Sequence, residues 1–245
     1  MMAKSGFKKS VIIAGGYIFL SLVCFVLFFA RVYHDISPFA IAFLFACVFL
    51  KLNPYLLGSL SFISSLFLGA EHSQNVINFI SILCFVAFYP MFHKYRYKMR
   101  HASIEVVIVV LAYIVSCSAK IAYAAGFQDP TLSDEFYRAI ISVMVGCMFL
   151  GAMIVLVKTV PTRKGRIPWT HDQRICGIIF CIIFSLGLSG LDSDYFSIHK
   201  FLVVLIILIG VNKFCPRATM SLVVALGFGR SLATLNLTWI AIFAL

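Results

Sequence analysis

The sequence predicts an all-α protein, a polytopic transmembrane helical bundle of about ten spans with a cytoplasmic N-terminus. Three observations carry this reading. The chain is 62% hydrophobic and only 12% charged, whereas about a quarter of the residues of a soluble domain are charged. Its apolar residues come in blocks of roughly spanning length, separated by short polar breaks, and in lipid a helix satisfies its own backbone hydrogen bonds. Its basic residues gather in alternate breaks.

The spans, within a single integral membrane domain over 1–245, are justified in order. Lys4, Lys8 and Lys9 precede an apolar run that fills 11–30. This run is long enough to cross, and no small-x-small cleavage site closes it before Arg31, so it reads as a first span and not as a removed signal peptide. Span two covers 37–50, with Ser37 as N-cap and Pro38 in the first turn, where a missing N–H costs nothing. Asn53-Pro54 makes the turn into span three, 53–70. Spans four and five follow at 75–92 and 103–125, and Gln128-Asp129-Pro130 breaks the chain before span six, 137–157. Pro161 and Pro168 bracket a basic loop, after which come 175–190 and 196–212. Pro216 opens 217–229, and the last span is 233–245. Spans two, nine and ten are short, nearer the range of re-entrant or tilted segments.

Charge placement tests this count independently. With the N-terminus inside, the inside segments hold Lys4, Lys8, Lys9, Lys51, Lys94, Arg96, Lys98, Arg100, Lys158, Arg163, Lys164, Arg166, Arg174, Lys213 and Arg217. The outside segments hold Arg31, Arg138, Lys200 and Arg230, with Lys120 inside a span. Asp35, Glu71, Asp129, Asp134, Glu135, Asp192 and Asp194 all fall outside. A crossing missed in mid-chain would blur this positive-inside bias. The net charge of +11 therefore faces anionic headgroups. The alternation of cations and aromatics from His93 to Arg100 reads as an interfacial belt and not as a base-stacking platform. No nucleic-acid partner is expected.

Few groups suggest chemistry. Lys120 lies about a turn and a half from the outer end of its span, and is read either as a snorkelling side chain or as a functional intramembrane charge. Arg230, between the last two spans, has the same two readings. His34, His72, His93, His101, His171 and His199 lie near span ends and read as solvated interfacial groups. The eight cysteines contain no C-x-x-C pair and read as small packing residues. No catalytic motif, metal set or cofactor loop appears, so no catalytic residue, metal or cofactor is assigned. Lys94, Arg96, Lys98, Arg100, Arg163, Lys164 and Arg166 are available for lipid or partner contact from the inside loops. Gly146 with Gly151 and Ala152, Gly187 with Gly190, and Gly227 with Gly229 offer close helix approach.

Two stretches carry a family resemblance. Phe29-Ala30-Arg31-Val32 with Ser37-Pro38-Phe39-Ala40-Ile41-Ala42-Phe43 is the first, and Asp172-Gln173-Arg174-Ile175-Cys176 through Gly187-Leu188-Ser189-Gly190 is the second. Their order, spacing and ten-span plan resemble the N-terminal membrane region of stage II sporulation protein E, a membrane-bound serine phosphatase of endospore-forming bacteria. The resemblance implies a membrane domain that anchors the protein at the division septum and helps it self-associate, with cell-division proteins as partners. The family's phosphatase module, with its aspartate metal ligands, has no counterpart before Phe243-Ala244-Leu245, so no phosphatase residue carries over. The chain is then expected to be a piece of a longer protein or a stand-alone relative. The family is also richer in glycine where this chain has Val211-Asn212-Lys213-Phe214-Cys215-Pro216.

The function expected is a non-enzymatic multi-pass anchor or scaffold in the bacterial cytoplasmic membrane, with lipids as partners. The rival reading is a small permease or a membrane component of a transporter, for which Lys120 or the last hairpin would supply a site.

Overall fold

A computed structural model describes residues 3–31, 37–50, 52–66, 72–96, 102–126, 133–162, 170–191, 197–213 and 216–234. Among these the secondary structure is entirely helical. The helices are α1 (Ala3–Phe29), α2 (Phe39–Ala46, continued by a 3-10 turn Cys47–Phe49), α3 (Pro54–Leu66), α4 (His72–Tyr95), α5 (Ala102–Gly126), α6 (Ser133–Thr162), α7 (His171–Ser189), α8 (Ile198–Lys213) and α9 (Pro216–Thr234). Nine of the ten expected spans thus fall on helices, and the tenth, 233–245, lies almost wholly outside the described residues. Among the described residues, three helices are long and apolar enough to cross a membrane, over Asn75–Tyr95, Ala139–Lys158 and His171–Ser189. The other apolar stretches are shorter.

Helix ends follow local chemistry, with three corrections. Ser37 does not cap α2: its hydroxyl donates to the Phe28 carbonyl at the end of α1, 2.9 Å away, and Pro38 occupies the cap position. Asn53 is the true cap of the next helix, its Oδ1 accepting from the backbone N–H groups of Tyr55 and Leu56 at 3.0 and 3.4 Å. Helix α7 begins at His171, earlier than the expected 175, because Thr170 and Gln173 form a reciprocal capping box. The spacing T-x-x-Q is its sequence signature. Helix α6 runs through Pro161 to Thr162, so that proline ends a helix and does not open the loop.

Helix α2 defines the architecture. Its sequence, FAIAFLFA, is apolar all round, as a helix enclosed on every side must be. Every residue from Phe39 to Phe49 is buried. Helices α1, α4, α5 and α6 enclose it. Aromatic edges hold it there: Phe39 meets Phe149 at 5.2 Å, Phe45 meets Phe85 at 5.7 Å and Tyr113 at 5.8 Å, and Phe49 meets Phe92 at 5.5 Å. Such edge-to-face pairs add about 0.5–1.5 kcal/mol each beyond area burial.

Side-chain pairs fix the helix directions. Phe28 meets Ser37 and Cys24 meets Ala40, so α1 and α2 are antiparallel. Tyr17 meets Asn53 and Cys24 meets Ser61, making α1 and α3 parallel. Gly58 lies against Val86 while Phe62 lies against Phe79, which sets α4 antiparallel to α3. Ser81 bonds Ser116 and Arg96 bonds Glu105 between antiparallel α4 and α5. Tyr113 with Gly146 and Glu105 with Lys158 do the same for α5 and α6. Gly187 faces Val26 and Gly190 faces Phe29, so α7 returns parallel to α1. Directions therefore alternate from α1 to α7.

Two groups of small residues explain this closeness. Gly187 and Gly190 lie against main chain, a Cβ on Gly190 falling 2.7 Å from the Phe29 carbonyl oxygen. Gly229 of α9 sits likewise on the Ile182 carbonyl and Ser185 of α7. Gly151, by contrast, meets nothing within 4 Å. It does not share a contact surface with Gly146, which instead receives the Tyr113 ring.

Candidate functional site: a charged clamp at the basic end of the bundle

The C-terminal end of the central helix must satisfy carbonyls that have no partner within the helix. Helix α4 supplies the donors. His93 Nε2 lies 2.9 Å from the Val48 carbonyl, so that nitrogen carries the hydrogen. The Tyr89 hydroxyl donates to the Leu50 carbonyl at 2.9 Å and accepts from the Leu52 N–H at 3.0 Å. One α4 face therefore closes the end of α2 and the turn after it.

Charges cover the same end. Arg96 Nε donates to Glu105 Oε1 at 3.2 Å, and Lys158 Nζ lies 3.5 Å from Glu105 Oε2. Both cations also sit over the Phe49 ring, Lys158 at 4.3 Å and the Arg96 guanidinium at 5.6 Å, with Phe92 a further 5.9 Å from the latter. A cation over an aromatic face is attracted by the ring quadrupole, and cations near a helix C-terminus complement its partial negative charge. Glu105 is the most enclosed of the three, with 14% of its side chain exposed against 33% for Arg96 and 28% for Lys158. Ends of α4, α5 and α6 are thus tied over the end of α2.

A second polar cluster lies at the opposite end of α7. Ser185 and His199 are both fully buried. The Ser185 hydroxyl donates to the Leu226 carbonyl at 2.6 Å and lies 2.9 Å from His199 Nε2. Since the one hydroxyl proton is committed to Leu226, His199 must donate to Ser185. This polarity joins α7, α8 and α9 and is the reverse of what a base activating a nucleophile requires. It corrects the reading of His199 as a solvated interfacial group.

The sequence-assigned residues divide accordingly. Arg96 joins the clamp. Lys94 is exposed and instead pairs with its neighbour, its Nζ 5.8 Å from the centre of the half-exposed Tyr95 ring. Arg230 is half-buried in the last turns of α9, next to Gly229. Lys120 falls in the final two turns of α5, and its side chain lies outside the described part. Lys98, Arg100, Arg163, Lys164 and Arg166 lie outside the described residues. Glu105, Tyr89 and Ser185 were not singled out from sequence, while Lys158 and His199 were read only as an inside cation and a solvated interfacial group. Only Glu105 carried a usable signal, an acid among the basic inside segments at the start of an apolar run.

These features define an all-helical domain with apolar helices of membrane-crossing length and a polar, cation-rich end. The chain belongs to the SpoIIE N-terminal domain family, whose sequence profile matches residues 2–234. That domain is the N-terminal membrane region of stage II sporulation protein E. No curated protein and no solved structure matches the chain.

Proposed function

We propose that this domain is a multi-pass anchor and scaffold in the bacterial cytoplasmic membrane, N-terminus inside, with about ten crossings. In this reading it positions itself at the division septum through self-association and contact with cell-division proteins, and performs no catalysis of its own. The observation that carries the reading is the filled axis. Where a carrier needs a polar path near the midplane, the centre of the α1–α6 bundle is occupied by the wholly buried segment Phe39–Phe49. A solid aromatic axis suits a body that must hold its shape and present fixed surfaces. The alternating directions of α1 to α7, with Arg96, Glu105 and Lys158 brought to one end, support repeated crossing and the positive-inside orientation.

The test is a fluorescent fusion followed through septation in sporulating cells, paired with flux measurements on reconstituted vesicles. Septal enrichment that survives Lys120→Ala, with no saturable flux, is the expected result. Saturable uptake abolished by Lys120→Ala would replace this reading with that of a permease.

A further inference from the structure

The clamp sits at a particular depth. Arg96 directly follows the apolar helix stretch Asn75–Tyr95, and Lys158 is the last residue of the stretch Ala139–Lys158. Both cations therefore lie where hydrocarbon gives way to headgroups, on two helices whose lengths suit a crossing. Tyr95, 45% exposed, directly precedes Arg96 in the chain and lies under Lys94, as aromatic belt residues do at that level.

Two cations gather on one carboxylate there, and both keep part of their surface outward while Glu105 is turned in. The segments that flank this end in sequence hold fifteen basic residues against two acids, Glu105 and Asp172. Excess positive charge at a low-dielectric boundary favours an anion, and an inner leaflet supplies one at the correct height. Arg presents its donors in a fork that fits phosphate oxygens, while Lys acts as a compact charge.

We propose that Arg96 and Lys158 hold the phosphodiester of an anionic phospholipid of the inner leaflet, with Phe49 as the apolar floor beneath them and Glu105 keeping the two cations together. The lipid would then be a bound ligand that bridges α4 and α6 over the end of α2. This rests on the membrane-embedded, N-terminus-inside reading above.

Native mass spectrometry of the full chain released from detergent tests it, with phosphatidylglycerol and phosphatidylcholine of matched acyl chains as probes. Wild type should retain phosphatidylglycerol about tenfold better. The preference should fall to nearly none in R96Q/K158Q and fall partway in K158Q alone. Equal retention of the two lipids by wild type overturns the site, as does an unchanged preference in R96Q/K158Q. Displacement of phosphatidylglycerol by millimolar inorganic phosphate would also overturn it, assigning the cations to a soluble anion. Carbonate extraction of membranes is read separately: release of the chain would sink the embedded reading itself, whereas retention with no lipid preference would sink only this site.

Discussion

The phenol of Tyr113 fills the space that a side chain on Gly146 would need. Tyr113 is fully buried on α5, and Pro38 presses on the same glycine from the start of α2. A methyl group here has no way out, because the ring is held between Phe45 and α6. Gly146→Ala should destabilise the domain by about 1–3 kcal/mol, the usual range for overpacking. Thermal unfolding in detergent would measure this. Tyr113→Leu should remove most of the added penalty, since contacting residues couple, and additive losses would refute the contact.

A parallel argument applies where α7 meets α1. Gly190 lies against the Phe29 carbonyl and Gly187 against Val26, both main-chain contacts that cannot swing aside. Gly187→Leu should separate the two helices, seen as a drop in monodisperse protein on size exclusion. The same change at Gly151, which meets nothing within 4 Å, should be tolerated.

The clamp should respond to the removal of its acid. Glu105→Gln leaves Arg96 and Lys158 facing each other across Phe49. The expected loss is about 1–2 kcal/mol, between values for exposed and buried ion pairs. Because the cations are partly exposed, the loss should shrink as salt rises. A midpoint difference that is the same at low and high ionic strength would show that packing, not charge, holds this end.

Tyr89→Phe tests the closure of the central helix. It deletes one donor and one acceptor and leaves the Leu50 carbonyl and the Leu52 N–H without that hydroxyl. A loss of about 1–3 kcal/mol is expected for groups left unsatisfied in a partly buried setting. A stability equal to wild type would mean that water replaces the hydroxyl without penalty.

Orientation is open to direct mapping. Single cysteines at positions 98 and 164, in a background without the eight native ones, should react with an impermeant maleimide only after the membrane is opened. Cysteines at 35 and 129 should react in intact cells. The reverse pattern would invert the topology.

The helices were readable because apolar blocks and prolines mark them without help from tertiary contacts. Their roles were less so. The run Phe39–Phe49 looks like any lipid-facing span, since burial in protein and burial in lipid select the same residues. Only its shortness set it apart: eight α-helical residues and one 3-10 turn reach roughly 18 Å, well under a bilayer core. The family stretches acquire physical meaning here, the first as this enclosed helix and the second as the glycines that admit α1. The polar clusters stayed hidden because their members are far apart in sequence. Glu105 joins Arg96 and Lys158, and Ser185 joins His199, through the fold and not through a motif. Arg96 was recognised from its position among inside cations, but its partner was not.

The enclosed helix also imposes an order on biogenesis. Its covering wall includes Phe149, about 110 residues later in the chain than Phe39. At bacterial or eukaryotic elongation rates of roughly 5–20 residues per second, that stretch takes about 5–20 s to emerge. For that time the most apolar short segment of the protein has been made while part of its sheath has not. Until α6 arrives, Phe39–Phe49 must therefore be shielded by something other than its final wall. Ribosome pausing just before residue 133 should lengthen this exposed interval and raise the yield of misassembled protein, whereas pausing after residue 162 should not.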